Sequence, residues 1–381
     1  KEISDYAFYG CSALTNIILS ENSKLQGVYD HAFEYAGIEN FDMPAEMTVL
    51  GAYAFRGAKL KTFTFNEKLE EIGEYALAES GLTETTELVV PSSVEYIGRS
   101  ALKDILSLEK LSIPFLGMAE INTNSENTIK YLFSDISKLD GLKKISVLGG
   151  TRLDYDAFSY LKCEEIYLSE SIVDLGYNSF YRCEELRIVN IPEGVKRIRM
   201  STFESCIKLQ DINIPVNCCS IEDTAFKDCL SLKKIYINKN VSYIANGSFS
   251  GCNGLESVSV DADNKFFRVI DSILYDYNLS RIMIVPKNIS GKVEIPEGIK
   301  NIDNGAFYNC KYIEKVIFSD TVESIGDDAF RDCILLNEVS FSNKLQTIGI
   351  MAFQNTNIEN IELPDTVSSL GVYAFADCRN L

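Results

Sequence analysis

The sequence predicts an α/β solenoid, a β-rich superhelix in which short strands alternate with single helical turns, about 22–23 residues to the coil. Three observations predict it. The pair Ala-Phe, or a near relative, returns along the whole chain at an almost constant interval. The apolar residues around each pair keep the same phase. One such unit carries too few apolar residues to fold alone, so it must bury its flanks against copies of itself.

The repeated aromatic or leucine falls at Phe8, Phe33, Phe55, Leu77, Leu102, Phe158, Phe180, Phe203, Phe226, Phe249, Phe307, Phe330, Phe353 and Phe375. Most intervals are 22 or 23 residues. Two are long, Leu102 to Phe158 and Phe249 to Phe307, and each has room for one degenerate unit plus an insertion. Phe133 and Leu274 are the expected hidden positions. The result is one continuous body over residues 1–381, of about 16 coils, with insertions near 114–140 and 261–295. Both ends fall inside a repeat, so the chain reads as a piece of a longer protein.

Within a unit the pattern is IxxxxFxxCxxLxxIxI. Around Phe226 it comprises Ile221, Cys229, Leu232, Ile235 and Ile237; around Phe330, Ile325, Cys333, Leu336, Val339 and Phe341. The LxxIxI piece alternates at period two and is rich in β-branched residues, so it reads as a strand. Pro114, Pro192, Pro215 and Pro296 follow that piece, where a strand must stop. The Ala-Phe segment, with Asp or Gly nearby, reads as one helical turn.

Composition narrows the function. With 36 Lys+Arg against 55 Asp+Glu the net charge is −19, which opposes binding to a phosphate backbone. A single histidine, His31, leaves little scope for imidazole chemistry, and it reads as a solvated or locally bonded side chain on a turn. No apolar run reaches the length of a membrane span, and no signal peptide is visible at Lys1. The acidic pairs Glu164-Glu165, Glu184-Glu185 and Asp327-Asp328 read as polar coil positions. Asp261-x-Asp263-Asn264 begins like a calcium loop but lacks its glycine and terminal glutamate. No metal site, cofactor or catalytic set is expected. Asn240, Asn246, Asn278 and Asn288 open Asn-x-Ser sequons.

Ten of the eleven cysteines fall on core positions. Cys11, Cys183, Cys206, Cys229, Cys252, Cys310, Cys333 and Cys378 stand three residues after the ladder aromatic, while Cys163 and Cys218 take Leu and Val slots. Neighbouring coils would hold them about 4.8 Å apart with parallel directions, which suits buried thiols better than disulfides. Cys219 is the odd one, expected at the surface.

On segments such as Ile221-Glu222-Asp223-Thr224-Ala225-Phe226-Lys227-Asp228-Cys229 and Ile325-Gly326-Asp327-Asp328-Ala329-Phe330-Arg331-Asp332-Cys333, the chain resembles the BspA-type, or Treponema pallidum-type, leucine-rich repeat. Val269 to Tyr275, continuing through Ile284-Val285-Pro286, is similar to an inserted hairpin of that family. The resemblance implies a right-handed leucine-rich repeat solenoid of bacterial type. It implies display at the cell surface or secretion, and adhesion or protein binding without catalysis.

The middle residue of each IxI strand should point away from the core. Reading that position along the chain nominates a protein-binding stripe, with Thr64, Tyr167, Asn190, Asn213, Tyr236, Ser259 and Ser340 as its candidate contacts. Tyr167 and Tyr236 are the anchors, because Tyr is enriched where interfaces concentrate their energy. The partner expected is a protein, with a host extracellular-matrix protein as the example; neither nucleic acid nor membrane insertion is expected. The insertions compete as the binding site. A rigid stalk that displays another domain is the second reading, and a hydrolase housed in the insertions the third.

Overall fold

A computed structural model describes residues 1–118 and 127–381. The chain divides into two compact units, Lys1–Gly194 and Val195–Leu381. Each is a β-solenoid with almost no helix.

Each unit contains two parallel strand ladders, one more than the pattern suggests. In the first unit the expected IxI strands form one sheet: Glu87–Val89, Lys110–Ile113, Lys144–Val147, Glu165–Leu168 and Ile188–Val189. Their core residues stand in register, Leu88 beside Leu111, then Ile145, Ile166 and Val189. The second ladder is built from the isolated Ile that opens each repeat. Its rungs are two residues long, Glu2–Ile3, Gly27–Val28, Val49–Leu50, Glu71–Ile72 and Tyr96–Ile97. A two-residue strand persists here because both of its edges are paired and its apolar residue is buried, as with Val28, Leu50 and Ile72 at 0 % exposure.

The Ala-Phe segment is not a helical turn. It is a run of tight turns that serves as a third ladder. Alternate N–H groups close turns within the coil, Ala32 to Tyr29 O, Glu34 to His31 O and Ala36 to Phe33 O. The intervening ones reach the next coil, His31 to Ala52 O, Phe33 to Ala54 O and Tyr35 to Arg56 O, each at 2.8 Å. A helix would spend all these donors internally. Facing them outward requires left-handed residues at the bends, and His31 and Tyr35 have φ of 57° and 56°. The residue preceding the ladder position is small and buried between coils, Ala32, Ala54 and Ala76 at 0 % and Ser179 and Thr202 likewise.

The Phe side chains form the expected stack. Ring centroids lie 5.0 Å apart for Phe8–Phe33 and Phe33–Phe55, and 5.3 Å for Phe158–Phe180. In the second unit Phe203–Phe226 and Phe226–Phe249 stand at 5.4 and 5.1 Å, and Phe307–Phe330–Phe353–Phe375 at 4.6, 5.1 and 5.2 Å.

The two long gaps resolve differently. In the first, Phe133 is buried at the ladder position as expected, since Leu102 N–H donates to Leu132 O where an Ala carbonyl accepts elsewhere. Here the chain does form an α-helix, Ile129–Phe133, with Thr128 as its cap. Part of the expected insertion, 119–126, lies outside the described residues. In the second gap the expectation of Leu274 is corrected. Leu274 is a core residue of an antiparallel hairpin, Phe267–Ile270 with Ile273–Asp276, continued by Arg281–Ile284. Val285 takes the ladder position, donating its N–H to Ala306 O. Periodicity misses it because the hairpin crosses the core at a two-residue period.

Candidate protein-binding face

The IxI strands bring Tyr167, Tyr236, Ser259 and Ser340 into line within their units, whereas Thr64 and Asn213 lie on segments that form no strand. In the first unit, Val89, Ser112, Ser146 and Tyr167 are consecutive register partners on the outward side. Tyr167 is half-buried; its hydroxyl donates to Glu165 Oε2 at 3.2 Å and Lys144 Nζ lies 4.5 Å from the ring centre. Burial and the adjacent carboxylate raise its pKa. Thr64 is exposed and lines a shallow depression of about 240 Å³ with Asn40, Asp42, Phe63 and Phe65.

Asn190 occupies the expected line but is committed to the fold. Its Oδ1 accepts the N–H of Leu168 at 2.7 Å and its Nδ2 donates to Leu168 O at 2.8 Å. The side chain stands in for a backbone rung, so it has little left for a ligand.

In the second unit Asn213, Tyr236 and Ser259 line one shallow depression of about 400 Å³, together with Asp211, Lys234 and Ser257. Tyr236 and Ser259 are register partners. Tyr236 is 47 % exposed, and its hydroxyl donates to Asp261 Oδ2 at 2.7 Å. That hydrogen bond raises the phenol pKa and lowers that of Asp261. Asp261 also accepts the N–H of Asp263, so this segment is a turn that orients Tyr236. Ser340 is exposed and lines a third depression, about 600 Å³, with Asn343, Glu362 and Thr366. One member of the line was left out of the stripe, although Pro296 marks the end of its strand. Glu294 pairs in register with Ile317, and Ile317 with Ser340. Its piece is Val293-Glu294-Ile295-Pro296, an IxI followed by Pro.

A second feature was missed altogether. In the first unit the residues two before the ladder position form an outer aromatic column, Tyr6–His31–Tyr53–Tyr75, with centroids 4.5, 4.7 and 5.1 Å apart. Arg56 lies within 6 Å of the Tyr35, Tyr53 and Tyr75 rings. His31 is locally bonded, as expected, its Nδ1 standing 2.5 Å from Glu34 Oε2. Reading that column of the repeat down the chain would have found it. In the second unit the same position holds Ser201, Thr224, Gly247, Gly305, Asp328 and Met351 before Tyr373, and the column is lost.

The cysteines are all free thiols. Nine are buried, as their register predicts; Cys219 is half-exposed and Cys11, expected in the core, is exposed. Among the described residues no group of three or more His, Cys, Asp or Glu could hold a metal ion. No helix among them is long and apolar enough to cross a membrane.

Comparison with known families decides what these coils are. The model of the BspA type leucine rich repeat region matches residues 1–109, 151–280 and 287–381, in six copies. The chain belongs to the BspA-type leucine-rich repeat family. Its fold is shared with a leucine rich cell surface protein from Faecalibacterium prausnitzii, at 21 % identity and a TM-score of 0.58, over 78 % of this chain and 80 % of that one. The pneumococcal vaccine antigen PcpA is similar at 21 % identity and a TM-score of 0.47, over 88 % of this chain and 66 % of its own. A leucine-rich repeat protein of Bacteroides ovatus is similar at 26 % identity and a TM-score of 0.38, over 60 % and 53 %. No curated protein matches the chain. Both stretches outside the BspA-type match, 110–150 and 281–286, fall where the coils depart from the standard form.

Proposed function

We propose that this BspA-type solenoid is a non-enzymatic protein-binding module of a bacterial surface or secreted protein, and that the outward side of its IxI strands is the binding face. The observation that carries the reading is the alignment of Asn213, Tyr236 and Ser259 around one depression, with Tyr236 held upright by Asp261. An exposed, pre-oriented Tyr offers a large contact at small entropic cost. The likeness to a cell surface protein of F. prausnitzii supports placement outside the cell. The class of partner is an extracellular-matrix protein, and the binding role is adhesion.

Surface plasmon resonance of the chain over immobilised fibronectin and fibrinogen tests this. Saturable binding weakened about tenfold or more by Tyr236→Ala, and further by Tyr167→Ala, is the expected result. Binding that ignores both changes but is lost when 114–140 is removed, in a variant that keeps its melting transition, moves the site to the insertion. Absence of binding to any matrix protein favours a rigid spacer.

A further inference from the structure

The coil between Phe249 and Phe307 is built differently on its two sides. On the turn side Val285 keeps the ladder position, but the outer bend is bypassed. Asn304 N–H donates to Asn246 Oδ1 at 2.6 Å across 58 residues, and Asp327 N–H donates to Asn304 Oδ1 at 2.8 Å. The turns around Gly247 and Gly305 therefore stack directly, so closely that a Cβ on Gly305 would lie 2.1 Å from Ser250 Oγ.

On the strand side the ladder is interrupted. Ser257–Val260 pairs with Lys234–Ile237 along one edge only, and Ser290–Glu294 pairs with Tyr312–Ile317 along one edge only. Ser257, Ser259 and Asp261 face the paired edge, with Asp261 N–H on Ile237 O. By alternation the backbone groups of Val258 and Val260 face the open one. The first two hairpin strands pack beside Ser257–Val260 without backbone pairing to it. Its last strand pairs in parallel with Asn301–Ile302, Asp303 N–H donating to Ile282 O, and is clamped there by a fork: Arg281 Nε and Nη2 donate to Asp303 Oδ1 and Oδ2 at 3.0 and 2.5 Å, and Asp303 is 3 % exposed. Asp276 closes the preceding turn by accepting the N–H groups of Ser280 and Arg281.

We propose that the hairpin, residues 267–284, is a latched plug: it covers the open edge of Ser257–Val260, is held by its pairing with Asn301–Ile302 and by the Arg281–Asp303 fork, and opens as a unit, breaking both, while the turn-side ladder through Asn246 and Asn304 stays closed. Opening uncovers Leu274 and Ile282, both at 0 % exposure, so the open form is a minor population. It also frees a row of N–H and C=O groups of the kind that pairs with an extended chain. The plug does not depend on whether the strand face binds a matrix protein.

Amide hydrogen exchange of the full chain tests it. In Asp303→Asn, the amides of 267–284 and those of Val258 and Val260 should exchange about tenfold faster than in the unaltered chain, because a charge-assisted bidentate pair is lost. Amides around Phe226 and Phe330 should keep their rates. Arg281→Lys, which retains the charge but not the fork, should give a smaller increase confined to the same residues, and it serves alone if Asp303→Asn does not fold. Equal acceleration across Val195–Leu381, or a hairpin as slow as the Phe330 coil in every variant, would overturn the plug.

Discussion

The thiol of Cys229 donates to the carbonyl oxygen of Phe203, 3.1 Å away in the preceding coil. The same bond links Cys183 to Phe158, Cys252 to Phe226, Cys333 to Phe307 and Cys378 to Phe353, at 3.1–3.2 Å. The carbonyls of Phe158, Phe203, Phe226 and Phe307 already accept one N–H within their own coil, for example from Cys206 onto Phe203, and the thiol fills the second lone pair. Cysteine at this slot thus supplies a donor that Ala36 and Ala58 of other coils lack. Where a hydroxyl occupies it, as Ser80 or Thr356, the bond goes to Leu77 O or Phe353 O of its own coil.

Cys229→Ala should therefore destabilise by about 1–2 kcal/mol, combining a lost weak donor with a small cavity. Cys229→Ser should cost less if the hydroxyl reaches the same carbonyl. Urea unfolding of the two variants checks the order.

Burial makes these thiols poor acids. It pushes Cys163 and Cys252 up to about 12 and Cys218 up to about 11, from an ordinary value of 9.0. Above pH 9 the unfolded chain loses these protons while the native chain keeps them, so the native state binds more protons and stability falls as pH rises from about 9 to 12. Below pH 9 both states are protonated and the contribution is constant. Melting temperatures measured from pH 8 to 11 should decline, and less steeply in a Cys163→Ala/Cys252→Ala variant. In the native chain at pH 8 a thiol reagent should react rapidly with Cys11 and Cys219 alone.

Phe226 stacks on Phe203 on one side and Phe249 on the other and is fully buried. Phe226→Ala should remove about 3–5 kcal/mol of stability, a loss that calorimetry or denaturant titration resolves. A change in melting temperature within error would mean that the rings do not carry the core.

Asn190 separates the structural from the binding role of its stripe. Asn190→Ala leaves Leu168 N–H and C=O without their partner and should cost about 1–3 kcal/mol in a chemical melt. Asn190→Asp can still accept from the N–H but faces the carbonyl with a charge, so it should not restore stability. Any loss of ligand affinity in a folded Asn190→Ala chain would show that this amide also reaches the partner.

Thr224 is β-branched yet held at φ 52°, one of the left-handed bends that turn N–H groups toward the next coil. Its hydroxyl is bonded to Ser201 Oγ at 2.7 Å. Thr224→Asn, which tolerates this conformation and keeps a polar group, should raise stability by about 0.5–1 kcal/mol. Thermal unfolding at neutral pH reads the sign.

The repeat was legible because its restraints are local and recur. Phe, Ala, Cys and the IxI residues hold their phase wherever one coil seals the next, so their spacing reports the solenoid, the Phe stack and nine buried cysteines. The helical turn expected at Ala-Phe was wrong for a non-local reason: its N–H groups find acceptors in the adjacent coil, and a single unit does not display them. The outer column of Tyr6, His31, Tyr53 and Tyr75 was visible in the spacing but had no apolar signature to mark it.

The binding stripe divides in the same way. The outward direction of Tyr167, Tyr236 and Ser259 follows from the two-residue alternation of a strand, a property of the chain alone. That Asn190 is used up by Leu168, that Asp261 steadies Tyr236, and that Val285 rather than Leu274 carries the ladder past the hairpin all depend on contacts between segments 20 to 25 residues apart. Order along the chain specifies which side chains repeat and which way they face. Which backbone groups remain unpaired after stacking, and so which side chains must serve them, is settled when one coil lies on another.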